Sequence, residues 1–559
     1  MSNAAVPAPA RTSGSDTAWA LGAYALWLFS VAIGLWFRPL LPIDETRYVT
    51  VAWEMHLSGD WLVPHLNGEA YSHKPPLLFW LINLSWVLFG VGETAARIIA
   101  PLFTLGTLAL TGVLGRLLWP GEAGRQAALI APLIVLGSAY LLFFSTLTYF
   151  DLMMAFFALV GITGLVVARL RSMVLGFALF GLAIGLGVLS KGPAILVYLL
   201  PAALLAPIWA GSGWPMRYRP AWWYVGVVLG IALGAGIALA WALPAAKAGG
   251  PVFENAILWG QTAGRVRDSF AHKSPFWWYI PVLPLMLFPW VVWPPMWRAA
   301  RALRDGIEPG LRLSLVWFVG GVVVFSAISG KQPHYLLPLV PAFALFLARQ
   351  LDVCRAEIRQ SDTWFPAAVL VLLGVMALAV PVALDVVGSG RLRTILPVLD
   401  TLAYDAIGAL LCLAALPAFL LRLKARPHVL VLALLPVTFG PFLAVHLFVM
   451  PALRVSYDLL PAATALAAEQ QNGRVIGFAG DYHGEYHFLG RLTKPFDEFE
   501  PREAVAWAAA HPDGLVITRH RELPTDRIRP LGVFPFRGRI NVFWLGRDVA
   551  AHPEFFAVP

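Results

Sequence analysis

Asp44 and Glu45 stand side by side in the stretch IDETRY, Ile43 to Tyr48, directly after the first long apolar run of the chain. The polar stretch continues through SGDW (Ser58 to Trp61), VPHLNG (Val63 to Gly68) and HKPP (His73 to Pro76). Adjacent carboxylates with an arginine and a lysine are expensive to hold at a membrane surface, so such a cluster marks a functional site. Asp44 and Glu45 suit acid or base work. At a helix start they would also meet the positive end of the helix dipole. Arg47 could contact a substrate or pair with either acid. Lys74 has Pro75 and Pro76 fixing the backbone behind it. That suits a phosphate contact, against the blander role of snorkelling to the interface.

Four more polar breaks carry chemistry. Asp151 stands alone between two apolar runs, after Tyr149-Phe150. It could share acid-base or sugar-orienting work with Asp44, or simply cap a helix. Lys191 precedes Gly192-Pro193. Arg265, Arg267, Asp268, His272 and Lys273 run into the aromatic segment Pro275 to Tyr279, which suits an anionic head group at a membrane surface. Lys331, His334 and Tyr335 lie in the turn GKQPHY, where Pro333 would free backbone groups and open a cavity. His272 is a weak candidate metal ligand, a lone histidine without evident partners. Walker, GxGxxG, HExxH and CxxC patterns are missing where they would carry meaning, so nucleotide use is not expected. A site of this kind needs a donor already activated and held in the membrane.

The elements that must position these residues are membrane helices. The chain is 59% hydrophobic and 13% charged, with mean hydropathy +0.71, which soluble domains of its length do not show. Apolar runs lie near 18–37, 94–118, 125–146, 151–169, 174–190, 193–210, 222–246, 279–297, 312–329, 334–349, 364–387, 402–423 and 428–450, thirteen in all. The short run 77–91, behind Pro75-Pro76, is read as interfacial or re-entrant; counting it as a span would put the N-terminus outside. Arginine and lysine collect in alternate loops, from Arg116 and Arg125 to Arg422, Lys424 and Arg426. The positive-inside rule makes those loops cytoplasmic. The other face then receives Asp44, Lys74, Asp151, Lys191, the 247–278 loop and the 330–335 turn. The net charge of +9 is explained by loop topology and anionic lipid rather than nucleic acid. Cys354 and Cys412 suggest neither a disulfide nor a metal site. Residues 1–17 read as a cytoplasmic tail, 18–452 as the membrane domain with 39–92 its first outer loop, and 453–559 as a small α/β domain on the outer face. In that domain 474–478, 514–518 and 540–545 read as strands and 501–510 as a helix.

The pair Asp44-Glu45 followed by TRY, SGDW, VPH and KPP resembles the C-type membrane glycosyltransferases that use polyprenyl-phosphate sugars. The Asp151 turn, Lys191-Gly192-Pro193, His272 to Trp277 and Gly330 to Tyr335 support the likeness, which covers roughly residues 18–350. The similarity is greatest to the branch that moves 4-amino-4-deoxy-L-arabinose to lipid A; protein O-mannosyltransferases are more distant. One departure is His73, where that branch commonly has Glu before the Lys-Pro pair.

The resemblance implies an all-α polytopic bundle of about 13 spanning helices. It implies undecaprenyl-phosphate-aminoarabinose as donor and a lipid A phosphate as acceptor, at the periplasmic face of the bacterial inner membrane. Asp44, Asp151 and Glu45 would be catalytic, with Asp44 and Asp151 orienting the sugar or assisting proton transfer. Lys74, Arg265 and Lys331 would meet phosphates and Tyr335 would support the donor, with Arg47, Lys191, His272 and His334 in the substrate site. The outcome would be direct displacement with inversion. No cofactor is required beyond a divalent metal that the pattern leaves open, and a monomer among membrane lipids is expected. The rival readings are a protein O-mannosyltransferase-like enzyme and a lipid or sugar transporter. The transporter lacks its usual internal repeat.

Overall fold

A polypeptide in hydrocarbon must satisfy its own backbone, and long apolar runs do so as helices. The computed structural model describes residues 14–211, 220–264, 274–301, 303, 306–386, 401–420 and 426–556. Among these residues nine helices are long and apolar enough to cross a membrane, including Ala18–Phe37, Asp151–Leu170, Met173–Leu204 and Pro309–Ala327. The chain is thus a multi-pass membrane protein.

Several runs are broken where the sequence looked continuous. The 125–146 run divides into helices Gly121–Leu136 and Ala139–Phe144, and the 279–297 run into short pieces around Pro289 and Pro294. The first break falls at Gly137-Ser138; at Pro289 and Pro294 proline lacks the N–H that would continue the ladder. The helix Leu77–Phe89 has 13 residues, so it is about 20 Å long against about 30 Å of hydrocarbon.

The chain forms two compact units. The first gathers residues 1–34, 100–240 and 262–448. Its inner helix, Asp151–Leu170, is apolar on every side and buried along nearly its whole length, as a helix surrounded by others must be. It pairs with Met173–Lys191 through small residues. A Cβ on Gly176 would lie 2.2 Å from the backbone nitrogen of Ala168, so only glycine permits this approach.

The second unit gathers residues 35–99, 241–261 and 449–559. After α1 (Gly14–Phe37) come α2 (Asp44–Ser58), the hairpin β1 (His65–Leu66) and β2 (Glu69–Ala70), and α3 (Leu77–Phe89). Asn67 and Gly68, both at positive φ, make the hairpin turn. Asn83 of α3 donates to the Ala52 carbonyl of α2 at 2.9 Å. Toward the C-terminus lie β3 (Ile476–Ala479), β4 (Asp497–Phe499), β5 (Leu515–His520), β6 (Gly532–Phe536) and β7 (Arg539–Leu545). They form one sheet in the order β4-β3-β5-β7-β6, parallel across the first three and antiparallel beyond. Alternation sorts its two faces. Leu515 and Ile517 join Ile476, Phe478 and the helix Leu460–Gln471 in one core; Val516 joins Val542, Trp544 and Ala508 in the other. The expected strands at 474–478, 514–518 and 540–545 correspond to β3, β5 and β7. Strands β4 and β6 were not expected: β4 is three residues long and begins Asp-Glu, and β6 contains Pro535, which confines it to the sheet edge.

Candidate active site

Asp44 is the first residue of α2, and its side chain is 44% exposed. The Tyr48 hydroxyl lies 3.5 Å from its Oδ1 and the Arg47 guanidinium 4.0 Å away. Glu45, its neighbour, points the other way. It is fully buried, and both its oxygens face the guanidinium of Arg38. Oε2 also accepts the N–H of Leu41 at 3.1 Å. Arg97, buried as well, donates to the carbonyls of Leu35 (2.9 Å) and Arg38 (2.8 Å). Ile43 packs against the core beneath the sheet. The residues before Asp44 are therefore fixed by a buried charge network, with Asp44 presented at its edge.

Sequence reasoning missed Arg38 and Arg97. Their signal was there: two arginines flanking IDETRY inside apolar sequence need buried partners. Lys74 is half-buried, between the ring pair Tyr71 and His73 (centroids 5.3 Å apart) and the prolines that lead into α3.

The far end of α2 is held from two sides. Glu54 accepts the backbone N–H groups of Asn67 (2.7 Å) and Gly68 (3.0 Å). Burial raises its pKa, against the lowering effect of those two N–H groups and of His65. The Asn67 side chain donates to the Phe496 carbonyl (2.9 Å) and to Glu498 (2.8 Å), and accepts the Phe496 N–H (2.7 Å). Thr50 donates to the Gly484 carbonyl (2.7 Å) and Trp53 to the Leu492 carbonyl (2.9 Å). None of these was singled out from sequence.

In the first unit Asp151, 1% exposed, meets Lys191 at 2.6 Å through Oδ1, while its Oδ2 is buried without a hydrogen-bond partner. Lys191 ends its helix at Gly192, whose φ of +77° turns the chain away. The Lys191 ammonium lies 4.9 Å from the centre of the Tyr335 ring, a cation–π contact. The Tyr335 carbonyl accepts the Tyr198 hydroxyl at 2.7 Å. His334 packs against Tyr335, Phe144 and Tyr149. Lys331 is buried and donates to the carbonyls of Ser274 (2.9 Å) and Ile328 (2.6 Å), leaving one donor. Tyr279 donates to the Gln332 carbonyl at 3.2 Å. Asp151, Lys191, His334 and Tyr335 thus come together from three separate breaks. Arg265 and His272 lie outside the described residues. Among the described residues no three His, Cys, Asp or Glu side chains gather in a way that could hold a metal ion.

The fold is that of a solved glycosyltransferase. The chain superposes on the crystal structure of ArnT from Cupriavidus metallidurans in the apo state with a TM-score of 0.75, at 18% identity, covering 98% of this chain and all of that one. The same protein bound to undecaprenyl phosphate gives 0.69 at 19% identity, covering 94% and 98%. The architecture is therefore that of the C-type membrane glycosyltransferases. The family model for dolichyl-phosphate-mannose-protein mannosyltransferases matches residues 38–249, a range that includes Asp44, Lys74, Asp151 and Lys191. Undecaprenyl phosphate-alpha-4-amino-4-deoxy-L-arabinose arabinosyl transferase of Serratia proteamaculans (strain 568) is 32% identical over 380 residues, 67% of this chain and 66% of the relative. The second such enzyme of Proteus mirabilis (strain HI4320) is 29% identical over 377 residues, 66% of each chain. The matched segments thus span just under two thirds of these relatives. The chain is thus similar in sequence to the undecaprenyl phosphate-aminoarabinose arabinosyl transferases and shares the fold of ArnT.

Proposed function

We propose that the protein transfers 4-amino-4-deoxy-L-arabinose from undecaprenyl phosphate to a phosphate of lipid A, at the periplasmic face of the bacterial inner membrane. The observation that carries the reading is the 32% identity over 380 residues to the Serratia enzyme of that name. In the reaction an acceptor phosphate oxygen attacks the anomeric carbon, the bond from that carbon to the donor phosphate breaks, and undecaprenyl phosphate leaves with the bonding pair. Attack opposite the leaving group inverts the centre.

An acceptor phosphate is already anionic and needs no strong base. The demand is to bring two phosphates together and stabilise the leaving one. Lys74, Arg265 and the remaining donor of Lys331 are assigned to the phosphates, and Arg47 and His272 to substrate binding. Lys191 neutralises Asp151 on one oxygen and leaves Oδ2 to accept from the sugar, through a hydroxyl or its ammonium group. Asp44 does similar work from α2, while Tyr335 and His334 wall the donor. Glu45, bound to Arg38, acts by positioning Asp44. A chelator titration against transfer rate tests dependence on a divalent metal.

The accompanying topology has about thirteen spans, a cytoplasmic 1–17 tail, a membrane domain over 18–452 and an outer domain over 453–559, in a monomer. Isotope-labelled donor incubated with membranes carrying the protein tests the reaction, with label expected in lipid A. The second reading, transfer to protein hydroxyls with Asp44 as base, is favoured by the mannosyltransferase family match; it predicts label in protein instead.

A further inference from the structure

Beside the last turn of α2 lies a cavity of about 380 Å³, a volume typical of small-molecule sites. Glu54, Ser58, His65, Leu492, Thr493 and Lys494 line it. Three features set it apart from a solvated groove. The His65 Nδ1 is buried with no hydrogen-bond partner, a state that costs free energy until something fills it. The Lys494 side chain is exposed, and its ammonium has no ion-pair partner among the described residues. The Glu54 carboxylate is fixed by the N–H groups of Asn67 and Gly68, so it presents its remaining lone pairs in a set direction.

A cation, a carboxylate with spare acceptors, an imidazole nitrogen and two hydroxyls match a phosphorylated monosaccharide. Lys494 meets the phosphate; Glu54, His65, Ser58 and Thr493 meet hydroxyls. A bare phosphate would leave the Glu54 and His65 positions unmatched. Asp44 and Ser58 occupy opposite ends of α2, about 20 Å apart along its axis, so the cavity is not the place where Asp44 works.

We infer that this cavity is a second saccharide subsite, taking a phosphorylated sugar unit of the acceptor remote from the phosphate that is modified. The inference rests on the proposed acceptor, a lipid with more than one phosphorylated sugar.

Two measurements test it separately from that reading. The first needs no turnover. Lys494 of the detergent-solubilised full chain is labelled with a water-soluble amine reagent and quantified by peptide mass spectrometry. Glucosamine 1-phosphate should slow its labelling, and glucosamine and inorganic phosphate should do so far less. His65→Asn should weaken the protection. Equal labelling with and without the sugar phosphate overturns the subsite, whatever the enzyme transfers. Protection by inorganic phosphate alone, at equal concentration, also overturns the saccharide assignment.

The second compares lipid acceptors bearing one or two sugar phosphates. The wild type should favour the second by about tenfold in kcat/KM, expressed in KM. Lys494→Ala should abolish that preference and Lys494→Arg retain most of it. Transfer to neither acceptor, with protection intact, would sink the acceptor reading and leave the cavity a sugar-phosphate site. A preference unchanged in Lys494→Ala overturns its role in acceptor recognition.

Discussion

Asp44 and Glu45 look equivalent in sequence and are opposite in structure. One carboxylate is accessible at the start of α2; the other is sealed against Arg38. Asp44→Asn should lower transfer by about 10²–10⁴-fold with an unchanged melting temperature, read by initial rates beside a thermal melt in detergent. Glu45→Ala strands a buried guanidinium and should cost about 3–5 kcal/mol of stability, measured by denaturant titration. Exchanging both Arg38 and Glu45 for apolar residues of similar volume should cost much less. An equal loss in single and double variants would contradict the pair's role. The sequence told that carboxylates matter here, because charge beside apolar runs demands a reason. It did not tell which one is exposed, since the partner of Glu45 is decided by how the chain folds back over residues 38–45. Lys191 illustrates the same limit: it was read as a break beside a proline, and its partner Asp151 lies 40 residues earlier.

The long apolar helices were legible as elements, because twenty-residue runs carry their own signal. The hairpin β1-β2 was not. Two-residue strands fall below any periodic pattern, and only Asn67-Gly68 marks the turn. Yet that hairpin ties α2 to the segment 496–498 through the three hydrogen bonds of one amide. Asn67→Gly keeps the left-handed backbone and loses those bonds. It should destabilise the second unit by about 2–3 kcal/mol and speed proteolytic cleavage within residues 480–500. Unchanged cleavage rates would show that the hairpin contributes nothing to holding that segment. The residues that hold α2, Thr50, Trp53 and Glu54, read from sequence as ordinary helix positions. Their partners lie more than 400 residues away or in a turn without periodicity.

For the molecule as a whole, acidity offers a test. His487 is buried with its Nδ1 at 2.6 Å from the Tyr482 hydroxyl and its Nε2 at 3.1 Å from the Lys494 carbonyl. The carbonyl needs an N–H from Nε2, so Nδ1 accepts from Tyr482 and the ring is neutral. Burial pushes its pKa from 6.5 down to about 4. The unfolded chain therefore binds the extra proton first as pH falls. The stability this neutral ring contributes is complete above about 6.5 and is lost between 6.5 and 4, by about 3 kcal/mol in total. Melting curves of the detergent-solubilised protein across that window should shift downward with acidity, and His487→Gln should flatten the shift.

At the same scale, the composition already declared a multi-pass membrane protein. The joining of residues 35–99, 241–261 and 449–559 into one unit was hidden, because nothing local in a sequence records which distant segments pack together.

The central claim is a transfer between two lipids. Membranes bearing the wild type or Asp44→Asn, supplied with undecaprenyl phosphate carrying isotope-labelled aminoarabinose, give the most direct measurement. Mass spectrometry of extracted lipid A should find the labelled pentose on a phosphate with the wild type and at background with Asp44→Asn. Label absent from lipid A with an inserted wild type, or found only in protein, would contradict the account.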